Sequence, residues 1–201
     1  MARQKTFDED DVLADAMSLF WKCGYEATSI RDLTGHLGIS NSSLYATFGD
    51  KHEVFLAALA RYREIEFEHV RETLRSAESV RDALGQIFSE LISNLLADEN
   101  RRGSFTLNAA VELGGRDPAV TAQLQAHFDD ITLLLASHLA DGQTKGEITL
   151  AHKPADMAQF VLNSLFSLAG VAKVNPNRTY METIARLTLA IIIPINQELT
   201  P

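Results

Sequence analysis

From Ser40 to Lys51 the chain reads Ser-Asn-Ser-Ser-Leu-Tyr-Ala-Thr-Phe-Gly-Asp-Lys, a run of short polar side chains interrupted by Leu44 and Phe48. Leu44 and Phe48 are four residues apart, so on a helix they share one face and turn inward together. Asn41, Ser42, Ser43 and Thr47 are then left on the outer face. Small amides and hydroxyls suit hydrogen bonding to base edges, because Asn pairs bidentately with adenine and Ser meets several bases. Their shortness also lets the backbone approach closely. Ser40 is a good N-cap for this segment and is counted with the same outward group. Lys51, just past Gly49-Asp50, adds a cation at the next helix start, where free N–H groups suit a phosphate oxygen.

Catalysis finds no comparable foothold. The six histidines (His36, His52, His69, His127, His138 and His152) form no HExxH and no close metal-ligand pair. There is no Walker-type phosphate loop, no GxGxxG after a strand and no G-x-S-x-G elbow. The expectation is a protein that is not an enzyme, with no catalytic residue, no metal and no cofactor.

To offer such a face to a duplex, a short helix needs a frame. From Thr28 to Glu53 there are two short amphipathic helical patterns, a glycine-bearing turn between them and a third helix start. That is the grammar of a helix-turn-helix. Thr28 or Ser29 caps the first of these helices, Ile30, Leu33, Thr34 and Leu37 form its apolar face, and Gly38 ends it. Upstream, Phe7, Val12, Ala16, Leu19 and Phe20 recur at helical spacing and mark a bracing helix that Gly24 closes. Charge does not favour nucleic acid: residues 1–51 carry five Lys/Arg against eight Asp/Glu, whereas a general DNA binder is basic. The cations must therefore gather on one surface. An ordinary helical hairpin is the competing reading, since Ser and Asn collect at helix starts in any protein.

The run FWKCGYEATSIRDLTGHLGISNSSLYATFGDKHEVFLAAL resembles the N-terminal domain of TetR/AcrR-type transcriptional regulators. The matching anchors are Phe20, Gly24-Tyr25, Thr28-Ser29, Ile30, Leu37-Gly38-Ile39-Ser40, Leu44-Tyr45, Phe48, Lys51 and Phe55. The resemblance implies an all-α protein: an N-terminal three-helix helix-turn-helix DNA-binding domain and a C-terminal helical ligand-binding and dimerisation domain. It implies a two-fold homodimer on double-stranded operator DNA, most often a repressor released by a small-molecule effector. Carried over by position, Thr28 and Ser29 would meet phosphate, Asn41, Ser42 and Ser43 would face bases, and Tyr45 and Lys51 would hold the DNA backbone. Arg3 and Lys5 would lie on an arm that in some similar proteins enters the minor groove; a loose tail is the alternative. Where many relatives have an aromatic residue or His after the tyrosine, this chain has Ala46-Thr47, which leaves fewer backbone contacts.

The rest of the 201 residues reads as helices. The expected division is residues 1–51 for the DNA-binding domain, a connecting helix over 51–76, and 77–201 for ligand binding and dimerisation. Further helices are expected from Ser79 or Val80, from Phe105 to Leu113, from Asp117-Pro118 to about Leu139, from Pro154 towards Val174, and from Arg178 to Ile193, about nine in all. The last two are apolar on more than one side, so they are buried or meet a partner. Phe160, Leu165, Leu168, Leu187 and Ile191 are the candidate dimer contacts; a monomeric core is the alternative. By the resemblance, a pocket inside the body is lined by Phe88, Phe105, Asn108, His127, Phe128, Ile131, Asn163 and Phe166. The bland alternative makes the aromatics ordinary core and His127 a solvated helix residue. Ser104 stands where similar chains often have Cys, and Cys23 is the single thiol, expected to be packed at the end of the first helix. One cysteine, no run of 18 apolar residues, no apolar N-terminal leader and a net charge of −9 point to a cytoplasmic protein without membrane or general nucleic-acid affinity. The remaining alternative is a dimeric binding module whose helix-turn-helix no longer holds DNA.

Overall fold

The computed structural model describes residues 8–193, and every regular element among them is an α-helix. In chain order these are α1 (Glu9–Cys23), α2 (Ile30–Leu37), α3 (Asn41–Phe48), α4 (Lys51–Ser76), α5 (Val80–Ala97), α6 (Phe105–Leu113), α7 (Pro118–Thr144), α8 (Pro154–Ala172) and α9 (Arg178–Ile192). Arg3, Lys5 and Phe7 lie outside the described residues. The chain divides into two compact units. One holds the residues up to Ile65 together with Phe105–Leu124; the other holds Glu66–Ser104 and the residues from Gln125 onward. No single cut along the chain describes this grouping.

In the first unit, side-chain caps set the helix starts. Asp8 accepts from the Asp10 amide at α1, Ser29 from Asp32 at α2, and Ser40 from Ser43 at α3. Asp32 returns the bond to Ser29, completing a reciprocal capping box. Each cap satisfies amides that a helix start leaves without an internal partner. One stripe of each helix turns inward: Val12, Ala16 and Phe20 from α1, Leu33 from α2, Leu44 from α3, and Val54, Phe55, Ala58 and Leu59 from α4. Aromatic edges bind this core. Phe55 meets Phe20 at 5.1 Å, Tyr25 at 5.0 Å and Phe105 at 5.6 Å between ring centroids, and Tyr62 meets Phe105 at 5.6 Å. All four contacts are edge-to-face, each worth about 0.5–1.5 kcal/mol beyond area burial.

In the second unit α5, α8 and α9 pack on one another. α8 is long and apolar enough to cross a membrane by length and composition alone, yet it buries Met157, Val161, Leu162 and Leu168 against its neighbours as a core helix does. α7 runs past its expected end at about Leu139 to Thr144. Gly142 is not a breaker there. A Cβ at that position would sit 2.6 Å from Ile148 Cγ1 and 3.2 Å from Val80 Cγ2, so glycine lets those side chains close on the helix. The chain turns only afterwards, with the Glu147 amide donating to Gly142 O at 2.8 Å.

Candidate nucleic-acid interface

α3 presents the polar face expected of it. Asn41 and Ser42 are exposed, and the Asn41 amide has no hydrogen-bond partner among the described residues. Ser40 Oγ lies 2.8 Å from Ser42 Oγ and 2.9 Å from Ser43 Oγ, while accepting from the Ser43 amide at 3.1 Å. The three hydroxyls thus form a small web around the N-cap. Ser43 and Thr47 are half-buried at the edge of the face. Tyr45 is 52% exposed on the same helix. Beneath them Leu44 is fully buried and anchors the helix.

The turn between α1 and α2 sets where α2 begins, and its polar groups are largely committed. Gly24 takes φ +84°, a conformation that favours glycine, and a Cβ there would also lie 2.9 Å from Glu112 Oε2. Glu112, near the end of α6, accepts from the Tyr25 amide at 2.9 Å and the Glu26 amide at 2.8 Å. Lys51 Nζ donates to Tyr25 O and Thr28 O, both at 2.9 Å, and stands 4.0 Å from the Tyr25 ring centroid. His52 Nε2 lies 2.6 Å from Asp117 Oδ2. Burial pushes the Tyr25 hydroxyl above its usual pKa, helped by the negative charges of Glu26, Asp50 and Asp117. The Asp32 carboxyl is held low by the Ser29 hydroxyl and amide that it accepts from.

Two expectations need revision on this geometry. Thr28 is 1% exposed, and its hydroxyl donates to Gly24 O at 2.6 Å, so it braces the turn and has no face for a phosphate. Ser29, the true cap of α2, is exposed. Lys51 is partly spent: an ammonium has three donors, and two are engaged within the protein. Glu112 was not singled out by sequence. An acidic residue at a helix end carries no local signal for two amides 86 and 87 residues upstream. Cys23 is exposed rather than packed.

The body residues divide. His127, Phe128 and Phe166 come together, with centroids 5.9 Å apart for His127–Phe128 and 4.8 Å for Phe128–Phe166. His127 is 2% exposed, not solvated, and its Nε2 lies 2.7 Å from Glu66 Oε2. Ile131 is buried one turn further along α7, and Phe88 is buried in α5. Phe105 belongs to the aromatic core of the first unit, and Asn108 sits half-buried in that same unit. Asn163 is exposed and donates to Gln159 O of its own helix at 2.8 Å; it shares the outer face of α8 with Phe160. Of the dimer candidates, Phe160, Leu187 and Ile191 are exposed and Leu165 is half-buried. Leu168 is 1% exposed and belongs to the protomer's own core. Tyr180, 45% exposed on α9, is a further large exposed ring that is not among those candidates.

Residues 12–58, from α1 into α4, match the family model "Bacterial regulatory proteins, tetR family", and residues 80–188 match "Tetracyclin repressor-like, C-terminal domain". The chain belongs to the TetR family. It is a helix-turn-helix transcriptional regulator, in a family of regulators rather than enzymes. The uncharacterized HTH-type transcriptional regulator YezE of Bacillus subtilis (strain 168) is 30% identical over 193 residues, covering 96% of this chain and 100% of that one. The HTH-type transcriptional repressor ComR of Escherichia coli (strain K12) is 31% identical over 160 residues, 79% of this chain and 76% of ComR. Among solved structures, a cysteine mutant of the TetR family regulator CifR, complexed with 26bp double-strand operator DNA, superposes with a TM-score of 0.83. That match has 30% identity and covers 94% of this chain and 98% of CifR.

Proposed function

We propose that this TetR-family regulator is a cytoplasmic homodimeric repressor that holds a palindromic operator and is released by a small-molecule effector. The observation that carries the reading is the Asn41 amide, exposed and unpartnered on a helix whose other face is locked into the core. In this reading α3 enters the major groove. Asn41, Ser42 and the edge residue Ser43 read bases, and Ser40 holds them in register. Ser29, Tyr45, Thr47 and the remaining donor of Lys51 contact the backbone. The ComR repressor and the CifR–operator complex are proteins of similar sequence whose names support it.

The division of labour follows. Residues 1–51 serve as the DNA-binding domain, 51–76 as the connecting helix and 77–201 as the ligand and dimer domain. Phe160, Leu165, Tyr180, Leu187 and Ile191 form the contact between copies, a large apolar face of the kind that marks an interface. A two-fold dimer matches half-sites about one DNA turn, ~34 Å, apart. The effector sits near His127, Phe128, Ile131 and Phe166, where apolar walls carry a few polar groups. It switches the protein only by binding one arrangement better than the other. The test is fluorescence anisotropy with the upstream region of the protein's own gene at several salt concentrations. Sequence-selective, salt-dependent binding is expected. Equal binding to every duplex, or none, overturns the proposal.

A further inference from the structure

On the second unit, α5 and α9 enclose a groove of about 910 Å³. Its floor is apolar, from Phe88 and Ile92 of α5 and Ala185 and Leu189 of α9, with Ile193 at the end. Gly85 of α5 is among its lining residues. A glycine inside a helix costs stability relative to alanine, so a packing reason is sought. Among the described residues there is none: nothing of theirs lies within 4 Å of where a Cβ at Gly85 would be. The missing side chain leaves the groove open.

The rim is charged in an uneven way. Arg81, Arg178 and Arg186 face Asp82 and Glu182. Three arginines against two carboxylates leave the rim one net positive charge. Asp82 accepts from Ser79 Oγ at 2.6 Å in the cap of α5, and Glu182 pairs with Arg178 at 3.4 Å. Arg81 and Arg186 form no ion pair among the described residues. Two guanidiniums from different helices, neither held in an ion pair, therefore border one apolar trough, in a chain whose net charge is −9. Guanidinium forks match carboxylate geometry. The volume lies in the range of small-molecule sites.

We infer that the α5–α9 groove binds an amphipathic organic anion, its carboxylate held by Arg81 and Arg186 and its apolar body lying over Gly85, Phe88 and Leu189. The groove positions of α9 (178, 182, 185, 186, 189 and 190) lie on one side of the helix, and Tyr180, Leu187 and Ile191 lie on the other. Covering the second side with a partner leaves the first open. This site is separate from the His127 group, and its existence does not depend on the effector reading.

The test is isothermal titration of the full-length protein with decanoate and, separately, with 1-decanol, whose head is neutral. Decanoate is expected to bind once per chain and at least about tenfold more tightly than decanol, as a charge-assisted hydrogen bond would give. Arg81→Gln and Arg186→Gln, both on exposed side chains, are each expected to weaken decanoate about tenfold. Gly85→Leu fills the trough and is expected to abolish binding while the protein stays folded and keeps its oligomeric state. If Gly85→Leu fails to fold, the two arginine variants decide. No decanoate binding, undiminished binding in Gly85→Leu, or equal affinity for decanol each overturns the inference. So does a change of oligomeric state in Gly85→Leu, which would make the groove a contact between copies. Binding only after removal of residues 194–201 would assign the groove to the chain's own end and likewise overturn it.

Discussion

The α1–α2 turn and the outer face of α3 are both short and polar, and they use their polarity in opposite ways. In the turn, Glu112 takes two amides, Lys51 takes two carbonyls and the Thr28 hydroxyl takes a third carbonyl. On α3, the Asn41 amide is left without a partner and the serine hydroxyls touch only one another or their own helix start. The difference separates frame from instrument. A reading surface must keep its donors unspent, and that is useful only if the backbone beneath it cannot wander. Committed groups hold the backbone; uncommitted ones are the donors that the proposed reading gives to the DNA.

The comparison breaks most completely if the frame is removed. Phe55→Ala takes away the ring that joins Phe20, Tyr25 and Phe105, and is expected to cost about 3–5 kcal/mol of stability, read by denaturant unfolding. It should abolish operator binding by unfolding the head. Glu112→Ala is the sharper test. It leaves the Tyr25 and Glu26 amides without their charged acceptor, an effect of about 1.5–3 kcal/mol. Operator affinity should fall on all sequences alike, with partial rescue in Glu112→Gln; a changed base preference would mean that the turn itself reads sequence.

On the instrument side, Asn41→Ala is expected to relax specificity at one base position by about 1–3 kcal/mol, measured by competition among operator variants. Its thermal stability should stay within about 0.5 kcal/mol of the parent. Tyr45→Ala should instead weaken every duplex equally, and a shifted preferred sequence would exchange the two roles. The smallest effect concerns acid. Asp117 is held below its usual carboxylate pKa by the Val120 amide first, with His52 and the Ala119 amide adding to it. Its stabilising contribution is therefore present above the unfolded value near 3.8 and is lost as pH falls through the lower, folded value. Between pH 5 and 2, Asp117→Asn should lose less stability than the parent in an acid titration followed by circular dichroism.

Helices were readable where local rules decide. Ser40, Leu44, Phe48 and Gly49 bound α3 by capping, four-residue spacing and a break, all within a few residues. The apolar excess of α8 and α9 was readable as well, but which residue of the stripe turns outward was not. Leu168 and Phe160 are both large and apolar, and only the packing of α5 against α8 sorts the buried one from the exposed one. Thr28 and Lys51 were misjudged for a related reason: a hydroxyl and an ammonium beside a helix start look alike whether they face a phosphate or a neighbouring carbonyl. Gly142 shows the limit of punctuation. Its meaning depends on Ile148 and Val80 closing over it, and neither is visible in the pattern of α7.

The exposed thiol at the end of α1 offers a different use. Because Cys23 is the one cysteine of the 201 residues, a maleimide spin label attaches at a single known point on each head, without engineering. The proposed two-fold dimer would then carry two labels, and pulsed dipolar spectroscopy would yield the span between its heads with and without bound DNA or effector. The molecule comes with its own ruler for the proposed switch.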